Sequence, residues 1–92
     1  MNFEEVLTRI RAGHDVRFAR RVWGQDKCIF GADPTTVTTE EAESPVMAAL
    51  CEQYGGQVVV LGAICGCYRG QVQVNIALGS DDMLADDWEV IA

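Results

Sequence analysis

Residues 57–78 read QVVVLGAICGCYRGQVQVNIAL, and their pattern sets the fold class. The first half, Gln57 to Tyr68, is an almost unbroken apolar run. It predicts one long strand, buried on both faces or bulged at Gly62 or Gly66. The second half alternates strictly, with Val72, Val74, Ile76 and Leu78 on one face and Gln71, Gln73, Asn75 and Ala77 on the other. Tyr68-Arg69-Gly70 makes the turn between them, so the two halves form a hairpin. Strands joined by so short a link pair antiparallel.

Working outward, Ser44 caps a helix with Pro45 in its first position. Val46, Met47, Leu50, Cys51 and Tyr54 form its apolar stripe, and Gly55-Gly56 stops it. Residues 31–44, GADPTTVTTEEAES, are polar and acidic and read as a surface loop. Nearer the start, Asn2 caps a first helix with Glu5 three residues on. Phe3, Val6, Leu7 and Ile10 recur at helical spacing until Gly13. A strand at Val16–Phe18, a turn at Gly24–Asp26 and a strand at Lys27–Phe30 make an early hairpin. The chain closes with DDMLADDWEV, a helical turn with Met83 and Leu84 inward and its aspartates solvated. Trp88, Val90 and Ala92 then form one face of a last strand. The expected fold is α+β: an antiparallel sheet with an N-terminal helix and one internal helix packed on it, a single compact domain spanning 1–92.

A chain of 92 residues buries only roughly 60–65% of the surface its unfolded form exposes, so one modest core is expected. With 49% hydrophobic residues it has apolar material left for an interface with its own copies. The net charge of −7 argues against polymeric nucleic acid and anionic membranes as partners. No stretch approaches the roughly 20 apolar residues of a membrane span, and the first residues hold no signal-peptide core, so a cytosolic protein is expected. Cys28, Cys51, Cys65 and Cys67 are then reduced thiols whose commonest role is packing. A zinc site is the sharper alternative, weakly signalled because the cysteines form only a Cys-x-Cys pair and His14 is the sole histidine.

No phosphate loop, dinucleotide motif or paired histidine appears. A Cys28–His14 dyad and a reactive Cys65 are the only nucleophile readings, and packing roles outweigh both, so no catalytic residue, metal or cofactor is expected. Recognition chemistry is better signalled. RRVWGQDK puts Arg20, Arg21 and Lys27 beside Trp23 in a turn, cations for a phosphate and an indole face for a base. The competing reading is that Trp23 plugs the end of the sheet and the arginines pair with surface carboxylates. Asp82 can accept from a ribose hydroxyl or a base amine, or cap the helical turn that follows it.

Met1–Leu7, the Arg20–Trp23 turn and the closing Asp82–Val90 stretch together resemble the second Thoeris anti-defence sponge family of bacteriophages. Its members begin with Met-x-Phe-x-Glu-Ala-Leu, carry Arg-x-x-Trp, and end in Asp-Met-Leu-Ala-x-Asp-Trp-Glu-Val. About a third of the chain carries the likeness. The middle departs, with Asn75 and Ile76 where many members have an aromatic and a proline, so that the family's base-stacking platform is either missing or supplied by Trp23, Tyr68 or Tyr54. The resemblance implies a non-enzymatic protein of the infected bacterial host's cytoplasm. Such a protein sequesters cyclic nucleotide immune signals, a glycosidic cyclic ADP-ribose isomer or cyclic oligonucleotides, in pockets between protomers of a homo-oligomer, a tetramer by expectation. The candidate ligand-binding set is Arg20, Arg21, Trp23, Lys27, Ser80 and Asp82. The alternative function is an acidic structural or adaptor protein that binds a basic protein partner.

Overall fold

The structure is a computed structural model that describes residues 1–13 and 15–91. The readings placed on His14 and Ala92 therefore lie outside the described residues. The chain divides into two compact units, Met1–Ala32 with Ala63–Ala92, and Asp33–Gly62.

In the first unit, α1 spans Phe3–Arg11. The expected capping box forms: Asn2 Oδ1 accepts from the Glu5 amide at 2.9 Å, and Glu5 Oε1 accepts from the Asn2 amide at 3.3 Å. Glu4 and Glu5 in the first turn and Arg9 and Arg11 in the last complement the helix dipole. The strands are β1 (Phe18–Arg20) and β2 (Lys27–Ala32), with a 3₁₀ turn at Arg21–Trp23 between them. In the second unit come β3 (Thr35–Thr38), α2 (Pro45–Gln53) and β4 (Gln57–Val60). The first unit resumes with β5 (Ala63–Tyr68), β6 (Gln71–Gln73), α3 (Ser80–Leu84) and β7 (Trp88–Val90).

The main sheet is antiparallel, in the order β6-β5-β2-β1-β7. Its longest ladder joins β2 to β5, from Lys27 opposite Tyr68 to Ala32 opposite Ala63. One face carries the core of Phe3, Val6, Phe18, Ile29 and Trp88. Trp88 is 1% exposed, and its ring lies 5.4 Å from that of Phe3. The two ends of the chain meet there: the Met1 amine donates to the Trp88 carbonyl at 2.7 Å, and the Trp88 amide donates to that of Met1 at 3.1 Å.

The α+β antiparallel class holds, and several local expectations change. The apolar run from Gln57 is two strands in two sheets: β4 ends at Val60, and β5 begins after Leu61-Gly62. The partner of β4 is β3, in the segment read as a loop, where Thr-Thr-Val-Thr supplies β-branched residues suited to a pleated edge. The internal helix packs on this second, two-stranded sheet, where the Cys51 thiol donates to the Val37 carbonyl at 3.3 Å. The alternating run is strand only to Gln73, because Asn75 takes a left-handed φ of 62° and ends the extended chain. Val72 and Val74 are consequently exposed, while Ile76 and Leu78 reach the core. The first strand runs from Phe18 rather than Val16. The closing helical turn begins at Ser80 with Gly79 as its cap residue, so Asp82 does not cap it. Met83 and Leu84 point outward. No helix among the described residues is long and apolar enough to cross a membrane.

Candidate functional site

The basic and acidic residues singled out above fall into two neighbourhoods of the first unit. The first is a clasp around Arg20. Arg20 stands opposite Trp88 in the β1–β7 ladder, on the face that carries the core. Its Nε donates to Asp87 Oδ1 at 2.9 Å and its Nη1 to Asp82 Oδ1 at 2.8 Å, with Asp81 at 3.9 Å. All three principals are largely shielded, their side chains being 14% (Arg20), 13% (Asp82) and 20% (Asp87) exposed. The hydrogen bonds from Asp87 and Asp82 hold the Arg20 guanidinium above its already high ordinary pKa. The Arg20 hydrogen bond in turn holds Asp87 below the usual carboxylate range. The backbone carbonyl of Asp82 accepts from Trp88 Nε1 at 2.9 Å. Asp82 thereby joins α3, β1 and the core tryptophan, and neither it nor Asp87 is the solvated carboxylate that the sequence suggested.

Arg21, next along the chain, donates through Nε to Glu89 at 2.8 Å on an exposed surface, and that bond raises its pKa. Trp23 closes the 3₁₀ turn half-buried, edge-on to Trp88 with centroids 5.0 Å apart and planes at 82°. It packs against the core, as a plug at the end of the sheet would. Ser80 is exposed in the first position of α3.

Lys27 opens the second neighbourhood. Its Nζ lies 4.4 Å from the Trp23 ring centroid, a cation–π contact, and its side chain also lines a groove of about 380 Å³ along β5 and β6. Register explains the lining. Lys27 pairs with Tyr68, and Tyr68 with Gln71, so a cation, a phenol and an amide stand in one row across three strands. In the adjacent row Ile29, Gly66 and Gln73 are aligned. A Cβ at Gly66 would lie 3.0 Å from Ile76 Cδ1, so glycine is what lets Ile76 press onto the strand and form the groove wall. Arg69, with φ of 50°, and Gly70, with φ of 83°, form the tight turn that brings Gln71 back beside Tyr68. The groove thus offers a positive charge, an aromatic ring and two amides above an apolar wall, a set suited to a small planar anion.

The structure therefore brings Arg20 together with Asp82, and Trp23 together with Lys27. Of the predicted set, only Lys27 lines the groove. Gln71 and Gln73 were passed over as the polar side of an alternating strand, although two amides on one face were the available signal. Among the described residues the four thiols are free, and no group of three or more potential ligands could hold a metal ion.

Fold and groove define a small antiparallel α+β protein with an open polar site beside a half-buried lysine. The chain belongs to the family of the Thoeris anti-defense 2-like (Tad2-like) domain, whose model matches residues 1–91. That membership makes it an anti-defence protein. No curated protein matches the chain.

Proposed function

We propose that this protein counters Thoeris-type defence by binding and sequestering a cyclic nucleotide signal, a glycosidic cyclic ADP-ribose isomer or a cyclic oligonucleotide, without chemical turnover, in the cytoplasm of the infected bacterium. The row of Lys27, Tyr68 and Gln71 is the observation that carries the reading. Lys27 meets a phosphate, Tyr68 offers a ring to a base or ribose, and Gln71 with Gln73 reads polar edges. Trp23 acts through Lys27, whose ammonium it holds by its ring face. The protein works as a homo-oligomer, a tetramer built as a dimer of dimers. Val72 and Val74, 59% and 65% exposed, supply apolar surface next to the groove for a second copy to cover.

The test is recovery of ligand. Purified protein is incubated with cyclic ADP-ribose isomers and cyclic dinucleotides, filtered away with whatever it holds, and heat-denatured. Depletion of the nucleotide followed by its intact release is expected. Depletion without recovery indicates hydrolysis, and no depletion removes the sequestration reading. Light scattering checks the assembly, and a 10.1 kDa particle at micromolar concentration would sink it.

A further inference from the structure

After Lys27 the chain holds a single basic residue, Arg69, at a backbone position that does not favour it. Arg69 and Gly70, with φ of 50° and 83°, are the two central residues of the β5–β6 turn. A turn that is left-handed at both positions favours Asn-Gly or Asp-Gly. A Cβ crowds the following carbonyl there, and Asn or Asp offsets this with a local hydrogen bond that arginine does not make. Turn geometry therefore does not account for Arg69, and its surroundings do. Neighbours along an extended strand point to opposite faces, but the left-handed φ breaks that alternation. The Arg69 guanidinium lies 5.2 Å from the ring centroid of Tyr68, the phenol that lines the groove.

Its carboxylate partner is loose. The Arg69 amide donates to the Asp26 carbonyl at 3.0 Å and fixes the turn beside Lys27, yet the two side chains approach only to 3.6 Å, 67% and 61% exposed. Arg20 and Arg21 meet their carboxylates at 2.8 or 2.9 Å. A pair as long and open as Arg69–Asp26 contributes little stability and exchanges readily for a better anion.

We propose that Arg69 is a second anion contact of the groove, so that the site takes a nucleotide with two linked phosphates, one on Lys27 and one on Arg69, and that Asp26 holds the guanidinium until the ligand displaces it. Tyr68, opposite Lys27 in the ladder and next to Arg69 in the chain, stands between the two cations. The inference rests on the nucleotide-binding reading of the groove and adds to it a preference for a diphosphate bridge over a single phosphate. One ammonium matches one anionic charge, whereas a diphosphate bridge carries two, and the guanidinium fork engages two phosphate oxygens at once.

The experiment measures, by calorimetry, the affinity of the full chain for three probes. A glycosidic cyclic ADP-ribose isomer and linear ADP-ribose carry a diphosphate bridge, and 3′,5′-cyclic AMP carries one phosphate. Arg69→Asn is the main variant because asparagine suits the turn. Its melt should equal or exceed the parent's, while its affinity for the diphosphate probes falls by about tenfold. Cyclic AMP, anchored by Lys27 alone, should bind parent and variant alike. Asp26→Asn should tighten the diphosphate probes more than cyclic AMP. Arg11→Gln removes an exposed charge from α1 and should change no affinity. Unchanged binding of the diphosphate probes by Arg69→Asn overturns the proposal. So does an equal loss for all three probes, or a matching loss in Arg11→Gln, since either makes the effect one of net charge. The sequestration reading fails separately. If the cyclic isomer returns hydrolysed, or only linear ADP-ribose binds, that reading falls while the Arg69→Asn loss still stands on the probe that binds. If no probe binds the parent, both fall.

Discussion

The Arg20 clasp and the Lys27 groove begin from the same ingredients, a cation at the end of a strand within four residues of Trp23, and end as opposites. At Arg20 two carboxylates arrive from the closing segment at 2.8 and 2.9 Å, and the charge is met inside the protein. At Lys27 the ammonium is held by the face of Trp23 and still borders open space. An aromatic ring holds a cation without cancelling its charge, whereas a carboxylate does both. The difference teaches that a basic residue near a tryptophan signals ligand binding only when no aspartate from a distant segment reaches it first.

The sharpest way to break the comparison is at the tryptophan that the clasp serves. Trp88→Ala empties the centre of the core and should lower stability by about 3–5 kcal/mol, with ligand binding lost through unfolding; a thermal melt checks it. Each kcal/mol corresponds to roughly 4–8 °C in Tm for a domain of this size. Arg20→Gln comes next. It leaves Asp82 and Asp87 facing each other without their shared donor, so Tm should fall by several degrees while the groove keeps its ligand. A loss of binding at unchanged Tm would instead make Arg20 a ligand contact.

The same variant should change the acid response. The folded-state pKa of Asp87 lies below its ordinary value of 3.8, so its pairing stabilises fully above the unfolded value and is lost as pH falls through the lowered one. Arg20 shifts upward from an already high ordinary value, so its contribution is fully present throughout the acid and neutral range and is lost only as pH rises through the raised value. Acid titration followed by circular dichroism should therefore show a steeper loss of parent stability below about pH 4 than in Arg20→Gln. Identical acid slopes would remove the clasp as their cause.

On the other side of the comparison, Lys27→Gln should leave the melt nearly unchanged and weaken nucleotide binding by about tenfold, measured by calorimetry at two salt concentrations. The parent should lose affinity as salt rises, since attraction to phosphate is screened over about 8 Å at physiological ionic strength, and the variant should lose less. Arg21→Ala is the smallest expected effect. Its bond to Glu89 is exposed, so neither melt nor binding should move measurably, and a binding loss there would extend the site onto the 3₁₀ turn.

How much of this was legible varies from element to element. Both long helices were, because their signals are local: Asn2 with Glu5, and Ser44 with Pro45, cap and start them within a single turn. The antiparallel pairing of β5 with β6 was also legible, since Arg69-Gly70 leaves room for little else. The split between β4 and β5 was not. A continuous apolar run does not record which sheet each part joins, and β3, the partner that claims β4, lay in a segment whose polarity hid its β-branched residues. The alternation through residues 71–78 misled for a related reason: period two states that faces differ, not that either is buried. Asn75 ends the strand before the pattern ends.

The sequence by itself determined the α+β antiparallel class, the starts and stops of the two long helices, and the family, through short motifs whose physics acts within a few residues. Only the tertiary structure decided the fate of the charged residues. Whether Arg20 meets a phosphate or Asp82 and Asp87 depends on contacts 62 and 67 residues away along the chain. Whether Gln71 shares a row with Lys27 depends on the register of three strands. Such placements arise from closing long loops around a common core, and local spacing carries no trace of which loop closes where.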